Sequence, residues 1–287
     1  MFKSPGKDSL YQADFLDIRQ CKRGVFGFYK TDTVQGRALA HYGELYDPQI
    51  SVLLELLEGD DLVIDVGAGI GAYTVPLARK LLVKGGVVHA FEPARLNHQM
   101  MVMNVALNRL VNVFDYRMAV GKEPGQAKAP LMNPLKGQDF ARLPNVEGQG
   151  DQIQVLALDQ LGLERCKLIK IDANGSEMHV LNGARDLITR LQPALFMAYA
   201  GNLERHGWVF DLLDAFDYQA WWHFADLYQP KNFQKFEENL FSDMKPDVNL
   251  LALPKAAGAQ FPNMIPTGAR DEDWDAALAR GRETQQG

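Results

Sequence analysis

The chain has 287 residues, 47% of them apolar and 23% charged, the balance of a globular protein with one substantial core and room for a small extra lobe. A net charge of -6 argues against a nucleic-acid partner, which would need a basic stripe. No apolar run approaches the roughly 18 residues of a membrane helix, and MFKSPGKDSL has no signal-peptide core, so no membrane span and a cytoplasmic location are expected.

In chain order, Leu10, Phe15 and Ile18 form a short amphipathic pattern that predicts a helix within residues 1 to 23. VFGFYK, 25 to 30, reads as a strand, and Ile50, Leu53, Leu54 and Leu57 give helical spacing from Pro48. Cys21 and Cys166 lack metal-ligand spacing and read as buried free thiols. Leu62–Val66 is an apolar strand that runs into LVIDVGAGIGAYTVPLA, with Gly67, Gly69 and Gly71 at alternate positions and a helix from about Ala72 to Leu82. Glycines tolerate positive φ and close backbone approach, so this strand, turn and helix start read as a ligand cradle of amide donors. Gly67, Gly69 and Ala72 satisfy a dinucleotide fingerprint, while D-x-G-x-G-x-G is the shape of an S-adenosylmethionine loop.

A strand over Val87–Phe91 follows and ends at Glu92-Pro93. Then comes a helix whose Leu96, Met100, Met103, Leu107 and Leu110 make an apolar face. After a third strand, Val111 to Tyr116, residues 121 to 150 lose periodicity and predict a loop or hairpin insertion over the sheet. Strands follow at Ile153–Leu158, CKLIKID (166 to 172), Pro193–Tyr199, Tyr218–Phe224 and Val248–Leu253. Helices are expected over Asn174–Leu191 and Leu203–Ala215. Beyond Pro254 a loosely held tail is expected, with one helical turn near Trp274.

Alternating strands and helices predict an α/β fold with a mostly parallel sheet, whose ligands bind at the carboxyl ends of the strands. Asp65, Glu92, Asp172 and Tyr199 fall at such ends. Glu92 can accept from both hydroxyls of a ribose, in NAD or S-adenosylmethionine, or else cap the following helix. Asp65 can orient the loop or meet a positive amino group. Lys170, on a strand covered from both sides, is expected to pair with Asp65. Trp221-Trp222-His223 reads as strand core or interface before a sugar platform.

Together these blocks resemble the FkbM-type S-adenosylmethionine-dependent methyltransferases. The matching stretches run from Asp32 to Leu39, then Tyr42-Gly43-Glu44, GDDLVIDVGAGIGAYTVPLA, FEP at 91 to 93, LIKIDANGSEMHVLNGA at 168 to 184 and ENLFSDMKPDVNLLALP at 238 to 254. The resemblance implies a Rossmann-like class I fold with a seven-stranded sheet over residues 61–255, an N-terminal extension over 1–60 packed on it, and a tail over 256–287. It implies S-adenosyl-L-methionine as cofactor and methyl transfer to a hydroxyl of a sugar, glycan or natural-product acceptor. Cofactor contacts are then expected from Glu44, Asp65, Gly67, Ala68, Gly69, Ile70, Gly71, Glu92 and Asp172.

Asp172 and His206 are the candidate catalytic bases, with His179 behind them; Asn174 and Tyr199 are candidate substrate contacts. Two positions depart from the family pattern: Asn174 stands where Glu is usual, and Ala198 where an acid commonly closes the fifth strand. Both losses weaken any base or divalent-metal site carried over from the family, so a metal requirement and the oligomeric state, a homo-oligomer included, stay open. Two alternatives remain: an NAD-dependent oxidoreductase, and a member that binds cofactor without catalysis.

Overall fold

The computed structural model describes residues 9–143, 149–199, 203–261 and 264–267, together with 276 and 279. Its first elements are strands β1 (Ser9–Gln12), β2 (Leu16–Cys21) and β3 (Gly24–Tyr29), an antiparallel meander where the sequence pattern predicted a helix. Three apolar residues in so short a stretch cannot separate the two periodicities, and the neighbouring GVFGFY supplies a strong ladder partner for β2. The meander is fastened to the first long helix of the core by two asparagines. Asn104 exchanges hydrogen bonds with Gly27 at 2.7 and 3.0 Å, and Asn108 with Val25 at 3.0 and 2.7 Å.

Helices α1 (Gln35–Tyr42) and α2 (Asp47–Leu56) lead into β4 (Leu62–Val66), which is buried at all five positions as a central parallel strand should be. The chain then alternates through α3 (Thr74–Leu82), β5 (Val87–Phe91), α4 (Arg95–Leu107) and β6 (Val113–Tyr116). A small sheet of β7 (Ala119–Val120), β8 (Gly125–Ala129) and β9 (Asp151–Leu156) gives the insertion its hairpin form. The main fold resumes with β10 (Leu168–Ile171), α5 (Glu177–Asn182), α6 (Arg185–Leu191), β11 (Ala194–Ala198), α7 (Leu203–Ala215), β12 (Tyr218–Ala225), β13 (Asp247–Pro254) and β14 (Ile265–Pro266).

The large sheet has the order β14-β12-β13-β11-β10-β4-β5-β6, parallel from β11 to β6 and antiparallel at the other side. Its direction of growth reverses between β4 and β10, so a crevice opens at their carboxyl ends. Successive residues alternate between two cores. Val63 and Leu168 face one with Ile50, Leu53 and Leu77, while Ile64 and Ile169 face the other with Leu181, Leu195 and Trp222.

Three further details depart from the sequence reading. An eighth strand, β14, comes from the tail expected to be loose and pairs with Trp221 and Trp222; residue 274 lies outside the described residues. The helix expected over Asn174–Leu191 breaks at Gly183, where a Cβ would sit 2.0 Å from the Gly121 carbonyl oxygen. In α4, Leu107 is exposed while Asn97 and Asn104 are buried, because their amides bond to the backbone of Phe140, Gly27 and Ile70.

Candidate active site

Beyond β4 the chain turns through Gly67 to Tyr73 into α3. Gly67 has φ +71°, and a Cβ there would lie 1.9 Å from the Asp172 carbonyl oxygen, so backbone packs on backbone between the ends of β4 and β10. The loop amides are largely engaged within the protein. Gly67 and Ala68 both donate to the Phe91 carbonyl at 2.9 and 3.0 Å, Gly71 donates to Ala68 at 2.9 Å, and Gly69 donates to Glu92 Oε2 at 2.8 Å. The carboxylate that the turn meets is thus Glu92 itself. Above Gly69 a Cβ would find only Gln35, at 3.9 Å, which leaves open space over the loop.

Glu92, at the end of β5, is buried, and its Oε1 accepts from the Ala94 amide at 2.8 Å just ahead of α4. The residue lines the crevice, and its bond to the Ala94 amide lies just outside α4, which has no side-chain cap. Burial pushes its carboxyl up to about 7; the Ala94 and Gly69 amides and the Lys170 charge pull the other way. Each oxygen has one amide donor and keeps a lone pair for a ligand hydroxyl.

Under the loop, Lys170 pairs with Asp65 across adjoining strands, as alternation required. Lys170 Nζ lies 3.1 Å from Asp65 Oδ1, with 4% and 0% of the two side chains exposed. The ammonium donates to the Gly67 carbonyl at 2.8 Å and lies 4.8 Å from the centre of the Tyr73 ring; Thr74 Oγ1 donates to Asp65 Oδ2 at 2.6 Å. The pair fastens the turn and the start of α3 from below. Asp65 itself does not line the crevice, and neither do Ile70 and Gly71.

The crevice encloses about 1160 Å³, open mouth included. Gly67, Ala68, Gly69, Glu92, Asp172 and Asn174 meet there, joined by Gln35, Tyr46, Tyr73, Asn97 and Phe140, which sequence reasoning did not single out. Asn174 has φ +50°, tolerable for Asn, and its amide donates to the Ala141 carbonyl at 2.9 Å, tying the insertion to the mouth. Carboxylates gather at this side. Asp247 is pushed up to about 6 chiefly by burial; Arg142, 3.6 Å away, opposes the shift, and the charges of Asp172, Asp139 and Asp226 add to it. Burial likewise raises Asp139.

Other predicted residues stand elsewhere. Glu44 is buried and does not line the crevice; it accepts from the Phe233 amide at 3.0 Å and pairs with Lys22 at 3.3 Å. Tyr199 lies edge-on to Trp222 at 4.9 Å, in the core on the far face of the sheet, with Trp221 and Trp222 also buried. His179 is exposed on α5, and the His206 side chain lies outside the described residues. Cys21 and Cys166 are buried free thiols, each pushed up to about 12 by burial. Among the described residues no three His, Cys, Asp or Glu side chains are grouped to hold a metal ion, and no helix is long and apolar enough to cross a membrane.

With this geometry in hand, comparison with known proteins gives the following. A family model described as the methyltransferase FkbM domain matches residues 65–226, more than half of the chain. Methyltransferase 1 of Beauveria bassiana (strain ARSEF 2860) is 29% identical over 151 residues, 44% of this chain and 59% of that protein. A methyltransferase FkbM from Methylobacillus flagellatus KT is 21% identical with a TM-score of 0.45 over 69% of this chain and 45% of its own. Precorrin-6y C5,15-methyltransferase from Geobacter metallireducens GS-15 is 17% identical with a TM-score of 0.45 over 71% and 87%. The match thus spans less than two thirds of the Beauveria and Methylobacillus proteins.

Proposed function

The chain belongs to the FkbM methyltransferase family, and from that premise we propose that it binds S-adenosyl-L-methionine and methylates a hydroxyl of a sugar, glycan or natural-product acceptor. One observation carries the reading: Gly67–Gly69, Glu92 and Asp172, from the ends of β4, β5 and β10, line a single crevice at the point where the sheet reverses. Glu92 would receive the ribose hydroxyls, each such bond to a carboxylate contributing about 1.5–3 kcal/mol. The open space over Gly69 accommodates the nucleoside side of the cofactor. A dinucleotide fits less well, because its pyrophosphate needs free loop amides and those of Gly67, Ala68, Gly69 and Gly71 already have acceptors.

The cofactor supplies an already electrophilic methyl group on a sulfonium. What remains for the chain is to align an acceptor oxygen, which accounts for a large share of the acceleration, and to take its proton. Asp172 is the group for the proton: it lines the crevice and is half-buried, and its backbone is fixed by a 3.0 Å bond from its amide to the Val66 carbonyl. Asn174, beside it, ties the insertion to the mouth of the crevice through the Ala141 carbonyl. The test is mass-spectrometric detection of methylated product from a glycoside and natural-product panel, comparing wild type with Asp172→Asn. A rate lower by roughly two to four orders of magnitude at unchanged cofactor affinity is expected for a base. An equal rate removes Asp172 from that role.

A further inference from the structure

Six residues other than glycine have positive φ among those described, and Tyr46 is the aromatic one of the six. Arg109, Gln192 and Asp217 follow the ends of α4, α6 and α7, where a left-handed residue commonly closes a helix. Tyr46 instead stands immediately before α2, at φ 53° and ψ 29°, with no side-chain cap bond. Glycine or asparagine would occupy this conformation at lower cost, so the aromatic ring is retained against the local backbone preference.

The ring is held on two sides. It stacks on Tyr73, with centroids 5.3 Å apart and planes 17° apart, and Tyr73 in turn lies over the Lys170 ammonium. Gln35 Nε2 donates to the Tyr46 hydroxyl at 3.2 Å, so the phenol accepts there and its own proton is left to donate. Tyr46, Tyr73 and Gln35 all line the same crevice as Asp172 and Asn174. Burial, then the charges of Asp247 and Asp172, raise the phenol well above its ordinary range, so it keeps its proton.

Resting on the methyltransferase reading, we infer that Tyr46, set on Tyr73 and steered by Gln35, is the acceptor-binding residue: it takes the apolar face of an uncharged sugar ring and presents a hydroxyl toward Asp172. A flat apolar wall with a few fixed polar groups is what such a ligand needs. The charges of Asp247, Asp172 and Asp139, which act on the phenol, disfavour an acceptor carrying a phosphate or carboxylate.

Saturation-transfer NMR on the full chain loaded with S-adenosylhomocysteine tests this. The probes are 4-nitrophenyl gluco-, galacto- and mannopyranosides, with 4-nitrophenyl glucuronide as the anionic control. At least one neutral glycoside should bind wild type, at least about tenfold more tightly than the glucuronide. Tyr46→Phe, which keeps the ring, should retain that affinity within about threefold, whereas Tyr46→Asn, which suits the backbone and lacks the ring, should lose about tenfold or more. Calorimetry should give the same S-adenosylhomocysteine affinity for all three proteins, and thermal melting should show both variants folded. If wild type does not bind S-adenosylhomocysteine, the methyltransferase reading fails and this inference with it. If it does bind, but no neutral glycoside gives a signal or Tyr46→Asn binds as well as wild type, the inference alone is overturned.

Discussion

Replacing Lys170 by Met removes its ammonium from beneath the Gly67–Tyr73 turn while roughly keeping the volume of the side chain. Asp65, wholly buried, would keep only the 2.6 Å bond from Thr74, and the Gly67 carbonyl would lose its 2.8 Å donor. Breaking a buried pair by removing one partner costs about 3–5 kcal/mol, because the remaining charge has lost its compensation. The cation over Tyr73 adds about 0.5–2 kcal/mol to what is lost. Lys170→Met should therefore lower the urea unfolding free energy by roughly 3.5–7 kcal/mol. The double variant Asp65→Asn with Lys170→Met leaves no buried charge and should recover most of this. A coupling energy of about 2 kcal/mol or more in the double-mutant cycle is the expected signature. A loss below about 1 kcal/mol for the single change, or simple additivity in the cycle, would refute the view that this pair holds the turn.

The turn itself offers a second test. Gly67→Ala places a Cβ 1.9 Å from a backbone oxygen at φ +71°, whereas Gly85→Ala, at φ +82°, meets nothing within 4 Å. The second change should cost only the backbone term of about 1–2 kcal/mol, and the first should exceed it clearly and abolish S-adenosylhomocysteine binding; equal melting temperatures would contradict the packing described. Acid–base linkage gives a third prediction. Glu92 has its carboxyl raised from 4.5 to about 7, so the folded chain holds a proton there that the unfolded chain releases. Its contribution is favourable at low pH and is lost as pH rises from about 4.5 through about 7, by roughly 3 kcal/mol in all. Asp32 and Asp247, raised from 3.8 to about 6, act in the same direction. Glu92→Gln should thus flatten the fall in ligand-free stability between pH 5 and pH 8, and a profile parallel to wild type would remove the basis for the raised carboxyl.

How much of this could be read from the letters depends on which forces set each feature. The β4 strand, its glycine turn, Glu92 and the Lys170–Asp65 pair follow from apolar runs and strand alternation, which are local. The same alternation, applied to β11, would have placed Tyr199 correctly: it shares parity with Leu195 and Met197 and so faces the second core, away from the crevice. Other features answer to distant contacts. At the break Gly183 lies against the Gly121 backbone, a contact from far along the chain, and buried Asn104 reads as a surface residue until Gly27 and Ile70 arrive as partners. Glu44 looked like a site acid and proved to be a partner of Lys22 and the Phe233 amide. Tyr46 carried no sequence signal, since a left-handed tyrosine is fixed only by what packs around it.

A single measurement bears most directly on the central claim: isothermal titration of the purified chain with S-adenosyl-L-methionine and, separately, with NAD, repeated on Glu92→Ala. One saturable site for S-adenosyl-L-methionine and none for NAD are expected, with a loss of about 1.5–6 kcal/mol in Glu92→Ala if one or both ribose bonds to the carboxylate vanish. Saturable binding of NAD with no binding of S-adenosyl-L-methionine would contradict that claim.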